Sequence, residues 1–178
     1  LKGFIDDTPP SDEVFGLPVL HSSSIHDFEN RTLIVGIGNN ATRKKVAERL
    51  NASYFSAIHP SAAICKSVVL GAGTVVMPNA VVNADTVIGK HGIINSGAVV
   101  EHDCVLGDYV HISPNAALAG NTEIGEGSHI GIGAVVLPGV KIGKWATIGA
   151  GTVVLKDVPD YAVVVGNPGR IIKYTNAE

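Results

Sequence analysis

The chain has 178 residues, with 13 Lys and Arg against 16 Asp and Glu, for a formal net charge of −3. Val, Ile and Gly supply about a third of it and aromatics only 5%. That composition excludes a disordered chain and speaks against a helical bundle, because Val and Ile prefer extended backbone.

No Lys/Arg stripe offers a nucleic-acid footprint. No apolar run approaches the roughly 18 residues needed to span a bilayer. Cys65 and Cys104 form no CxxC pattern, so neither a disulfide scaffold nor a thiolate metal site is expected. Two free thiols suit a reducing cytoplasm.

The first 57 residues read as a small α/β unit. Leu1 to Ile5 is a short apolar run ending at Asp6-Asp7, and Thr8 to Ser11 is a turn cluster. Thr32 to Ile37 reads as a buried strand. Gly38-Asn39-Asn40 is a loop with a helix N-cap candidate, and Ala41 to Leu50 reads as a helix with Val46 and Leu50 on one face. Tyr54 to Ile58 returns as a strand, completing a βαβ unit. A Rossmann-like unit starts with one more strand, Gly-rich turn and helix, so about 30 residues are expected to precede Leu1.

From Ile58 onward a period of six dominates. Stepping by six from Ile58 to Val154 gives seventeen positions, all Ile, Leu or Val. The following residue is often Gly, as at Gly71, Gly89, Gly107, Gly125 and Gly143. Four residues after each aliphatic the side chain is small or β-branched, as at Thr74, Ala80, Ala98, Cys104, Ala116 and Ala134. This period fits neither an α-helix nor an alternating strand. It fits a short strand and a corner, repeated: the aliphatic fills the core, the Gly permits a turn, and the small residue packs near the corner. Three units close an 18-residue triangle, and stacked coils share one continuous core. The domains expected are 1–57, 58–159 and a C-terminal cap over 160–178. In the cap, Arg170 and Lys173 read either as a phosphate contact or as a solvated tail.

Repeats such as Ile88-Gly89, Leu106-Gly107, Ile124-Gly125 and Ile142-Gly143 resemble the hexapeptide repeat of left-handed β-helix acyltransferases. The left hand of the coil is implied by that resemblance. Together with the α/β unit, the segments Phe4-Ile5-Asp6-Asp7, Gly36 to Asn40, Val100 to Cys104, His111-Ile112-Ser113 and Val165 to Pro168 are similar to bacterial sugar acetyltransferases. Those enzymes modify UDP-linked 4-amino-sugars; relatives O-acetylate sialic acid. The fold class expected is a mainly β, left-handed parallel β-helix preceded by a small, N-terminally incomplete Rossmann-like domain.

The chemistry needs a proton acceptor near neutral pKa, for which His is the usual choice. Of seven histidines, His21, His26 and His59 lie in loop or entry positions. His102 sits near a corner beside Asp103, where a carboxylate can hold its tautomer and raise its basicity. The resemblance implies that His102 is the base, with Asp103 where some relatives carry Glu. It further implies acetyl-CoA as co-substrate, contacted by His111, Gly120, Ile132 and Ala150. Gly120 would offer its N–H to the oxyanion. Asp6, Asp7, Gly38 and Asn95 would contact the nucleotide sugar; by charge alone, and not by the resemblance, Arg170 and Lys173 are candidates for the CoA 3′-phosphate. A glycine-rich phosphate loop is expected ahead of Leu1. The resemblance also implies a homotrimer with CoA between neighbours, no metal, and a cytoplasmic enzyme. His91 and His129 read as solvent-facing.

Alternatives are O-acetylation of sialic acid or a similar sugar, and a non-catalytic binding solenoid. A zinc carbonic anhydrase on the same fold needs three convergent His ligands. The spacings from His91 to His102, His111 and His129 do not match it.

Overall fold

The computed structural model describes residues 2–25, 30–50 and 52–175; His26 lies outside them. Each of the seventeen periodic aliphatics closes a two-residue strand, from Ala57–Ile58 to Val153–Val154. Strands 18 residues apart pair in parallel and in register, so the chain winds into a three-sided prism. The first face carries Ala57–Ile58, Val75–Val76, Ile93–Ile94, His111–Ile112, His129–Ile130 and Thr147–Ile148. The second runs from Ala63–Ile64 to Val153–Val154, and the third from Val69–Leu70 to Lys141–Ile142.

The core follows from the register. From Val76 to Val154 every periodic aliphatic is at most 2% exposed. Full burial of such a side chain contributes about 1.5–3 kcal/mol. Ile58 is half-exposed because no earlier coil covers it. The small inward positions are buried too, and the polar ones bond locally. Thr74, Thr86 and Ser128 donate to the carbonyls of Gly89, Glu101 and Gly143 at 2.9, 2.8 and 2.6 Å. Each hydroxyl thereby satisfies a corner carbonyl of the next coil.

The glycines after the aliphatics do not make the turn. Gly71, Gly89, Gly107, Gly125 and Gly143 stack along one corner, and a Cβ on Gly125 would lie 2.6 Å from the Gly143 carbonyl carbon. They permit close approach of successive coils. The left-handed backbone falls two residues later, at all fourteen positions from Gly73 to Gly151 in steps of six. Those positions hold Gly, Asn and Asp, but also His91, Tyr109 and Trp145. Backbone hydrogen bonds between coils hold them in a conformation that non-glycine residues rarely choose.

In the α/β unit, Thr32–Leu33 pairs in parallel with Ser53–Tyr54 across the helix Asn40–Arg49. The Asn39 side chain caps the helix by accepting from the Thr42 N–H at 2.9 Å. The first strand is shorter than the sequence suggests, and beyond it Val35 is buried with Ala47 and Tyr109. The expected strand over 54–58 splits, and Ala57–Ile58 already belongs to the prism. A second small sheet orders Phe4–Ile5, Leu17–Leu20 and Glu13–Val14. At the far end, Ala162–Val165 extends the first face and Arg170–Tyr174 returns antiparallel to it. Among the described residues, no helix is long and apolar enough to cross a membrane.

Candidate active site

His102 and Asp103 occupy the corner between the second and third faces. Neighbouring side chains on a strand diverge, but Asp103 has φ 59°. This left-handed step swings its carboxylate beside the preceding ring. His102 Nδ1 and Asp103 Oδ2 are 2.7 Å apart. Both side chains are about half exposed, at 56% and 52%. The carboxylate can only accept, so Nδ1 carries the proton and Nε2 presents its lone pair outward. That hydrogen bond, aided by the charges of Asp103 and Glu101, raises the His102 pKa above its ordinary value. Glu101 is itself held by the Asn83 amide at 2.8 Å.

Gly120 lies one coil on, beneath the His102 ring. A Cβ there would fall 2.7 Å from Cε1 and 2.8 Å from Nε2. Only a glycine leaves room for the ring in this position. Among the described residues the Gly120 N–H meets no protein acceptor.

A second cluster lies on the first face. The Asn95 oxygen accepts from the Ser96 N–H at 2.8 Å, which turns its amide nitrogen toward His111 Nε2 at 3.0 Å. His111 is therefore a neutral ring protonated at Nδ1. Its ring stacks on His129 with centroids 4.8 Å apart, and His129 Nε2 lies 2.7 Å from Ser113 Oγ. Burial, then the His129 and Arg43 charges, push the His111 pKa down to about 4, with the Gly38 backbone pulling the other way. Burial and Arg43 also lower His129. This stack is half-buried beneath the α/β unit, not a solvent-facing ladder.

The first face lies opposite the His102 corner, so a single chain does not bring His111 or Asn95 to His102. Ile132 and Ala150 are exposed at the third edge, between the first and second faces. Asp6 and Asp7 are exposed at the end of the first strand. Asp7 accepts from the Ser22 N–H at 3.0 Å, lies 3.6 Å from Arg49, and its pKa is lowered chiefly by Ser22. Arg170 and Lys173 are exposed on the terminal strand. Cys104 is buried, with Sγ 3.1 Å from Thr122 Oγ1.

Sequence reasoning missed the seam where the helix meets the prism. His91, read as solvent-facing, is buried at 4% exposure between the rings of Tyr54 and Tyr109. Its burial lowers its pKa. Gly73, His91, Tyr109, Gly127 and Trp145 recur every 18 residues, a spacing visible in the sequence that marks one docking edge.

A β-solenoid prism with an exposed, carboxylate-backed imidazole defines a hexapeptide-repeat transferase architecture. Residues 121–156 match the bacterial transferase hexapeptide (six repeats) family, and residues 1–50 match the PglD N-terminal domain. The chain is similar to a variant of perosamine N-acetyltransferase from Caulobacter crescentus, solved with CoA and GDP-perosamine. The two share 41% identity and a TM-score of 0.88 over 92% of this chain and 81% of that one. The acetyltransferase domain of PglB from Neisseria gonorrhoeae, solved with acetyl coenzyme A, is 40% identical with a TM-score of 0.89, covering 96% and 85%. A 47-residue stretch is 48% identical to UDP-N-acetylbacillosamine N-acetyltransferase of Bacillus subtilis, spanning 25% of this chain and 22% of the relative. The chain belongs to the left-handed β-helix, hexapeptide-repeat family of sugar N-acetyltransferases.

Proposed function

We propose that the chain transfers acetyl from acetyl-CoA directly to the amine of a nucleotide-linked 4-amino-sugar, with a UDP sugar as first candidate, and that His102 is the general base. The observation that carries this reading is the 2.7 Å His102–Asp103 pair on an open corner above Gly120. In this mechanism the sugar amine attacks the thioester carbon. Its proton passes to His102 Nε2 as the C–N bond forms. The oxyanion meets the Gly120 N–H. The C–S bond then breaks, and the CoA thiolate takes the proton back from His102. Direct transfer fits the inert setting of Cys104, the nearest thiol, which is buried in the core.

The chain works, in this reading, as a homotrimer. The His102 corner of one copy faces the Asn95–His111 side of the next, with acetyl-CoA between them against Ile132 and Ala150. The two clusters lie on opposite sides of one prism, and apolar Val135, Leu137 and Leu155 are exposed beside the His102 corner. Asp6, Asp7 and Gly38 line the nucleotide side. Light scattering of the purified chain tests the trimer directly.

The test of function is thiol release from acetyl-CoA with UDP- and GDP-linked 4-amino-sugars, free sialic acid and serine as acceptors. The amino-sugar nucleotides turn over, and His102→Ala lowers turnover about 10²–10⁴-fold. Turnover confined to sialic acid would make the chain an O-acetyltransferase. No turnover with any acceptor leaves a binding solenoid. Full activity in His102→Ala removes the base.

A further inference from the structure

Arg43 is among the most deeply buried large side chains, at 1% exposure. It lies on the helix Asn40–Arg49, where an arginine ordinarily reaches solvent. Its five N–H donors all have partners, and none is a carboxylate. Nε donates to the His91 carbonyl at 2.9 Å. Nη1 donates to the carbonyls of Ile37 and Gly38 at 2.9 and 3.1 Å. Nη2 donates to Asn40 Oδ1 and to the Tyr109 carbonyl, both at 2.8 Å. Asn40 in turn donates to the Gly127 carbonyl at 2.9 Å. His91, Tyr109 and Gly127 stand at one corner of three successive coils. One planar fork therefore joins the Gly38 loop to two coils, and Asn40 joins it to the third.

We propose that Arg43 is a positioning residue: it sets the Gly38 loop at a fixed height over the Asn95–His111 side of the prism, so that nucleotide and amino-sugar subsites keep one spacing. This deepens the reading above and rests on Gly38 lining the nucleotide side. A buried guanidinium is tolerable only with its donors satisfied, and here the satisfying carbonyls come from both units. The loop cannot shift without orphaning a buried charge. A lysine has no planar fork and places its donors at a single point, so it cannot span the same carbonyls. The motif Gly38-Asn39-Asn40 followed by Arg43 thus serves docking: Asn39 caps the helix, Asn40 and Arg43 bind the coils.

The experiment compares the whole chain with Arg43→Lys and Arg43→Met, using two readouts. Hydrogen exchange, which needs no substrate, is expected to quicken at least about tenfold at amides 36–50 while amides 76–154 keep wild-type rates. In steady-state kinetics, KM for the amino-sugar nucleotide is expected to rise about ten- to a hundredfold, with KM for acetyl-CoA and saturating kcat within about twofold. Wild-type exchange and kinetics in Arg43→Lys overturn the proposal. So does faster exchange throughout 76–154, which would make Arg43 a general stability element. If the wild type itself fails to turn over any nucleotide sugar, the functional reading falls. The exchange comparison then decides the strut alone: quickening confined to 36–50 upholds it, and unchanged rates overturn it.

Discussion

Replacing Gly120 by Ala separates catalysis from folding. The added methyl would stand 2.7 Å from His102 Cε1 and 2.8 Å from Nε2. Ordinary carbon contact is about 3.5 Å, so the ring must move by about 0.8 Å. The backbone at Gly120 is not left-handed, so alanine is not strained there. The ring is half-exposed and can swing into water, so the stability cost stays below about 1 kcal/mol, or about 2–4 °C in Tm. The movement tilts Nε2 away from the acceptor amine and disturbs the 2.7 Å bond to Asp103. A misplacement of this size lowers kcat about 10- to 100-fold. Thiol release at saturating substrates and a thermal melt measure the two effects. Wild-type kcat with an unchanged melt would refute the reasoning, because the ring could then act from a displaced position.

Three further outcomes follow from the geometry. Asp103→Asn replaces the carboxylate by a neutral amide, which takes away the charge and weakens the hydrogen bond that together raise the His102 pKa. The base works unprotonated, so the acidic limb of kcat/KM moves to lower pH while the plateau falls; a pH–rate profile with an unmoved limb contradicts the pairing. His111 titrates near 4 in the folded chain against about 6.5 in the unfolded one. The unfolded chain then binds more protons between these values, so stability is lost as pH falls from 6.5 toward 4. His111→Asn should flatten that loss in urea midpoints compared at pH 7 and 5, and an equal loss in both proteins counts against it. Gly127→Ala forces a methyl into the Trp145 ring at φ 69°, whereas Gly133→Ala, at φ 64°, meets nothing within 4 Å. Both incur about 1–2 kcal/mol of backbone strain, and only Gly127→Ala adds about 1–3 kcal/mol of repacking. Equal melting points would refute the packing of the Trp145 ring on Gly127.

The prism was legible because one inward aliphatic per six residues is a strong and unbroken signal. Every one of those residues, from Ile58 to Val154, ends a strand. The turn chemistry was not. The conspicuous glycines at 71, 89, 107, 125 and 143 relieve contact between coils, while the left-handed step falls on Gly, Asn or Asp at eleven of its fourteen positions and on His91, Tyr109 and Trp145 at the rest. No single residue type marks it, because inter-coil hydrogen bonds hold His, Tyr and Trp there as well. The His102–Asp103 pairing was readable as adjacency, but its 2.7 Å geometry depends on that same step. Arg43 was illegible for the opposite reason: an arginine on a short helix reads as solvated, and four of its five partners are backbone carbonyls, which leave no trace in sequence. The aromatics at 91, 109 and 145, spaced by multiples of 18, were the available sign that something docks on that edge.

In the proposed mechanism one ring nitrogen meets one sugar amine. A crystal structure of the chain with CoA and a UDP-linked 4-amino-sugar measures it directly. The sugar C4 nitrogen is expected within about 2.6–3.2 Å of His102 Nε2, with the CoA sulfur on the same side. A sugar amine beyond reach of that ring, or bound with the ring turned into Asp103 and no ligand near Gly120, would contradict it.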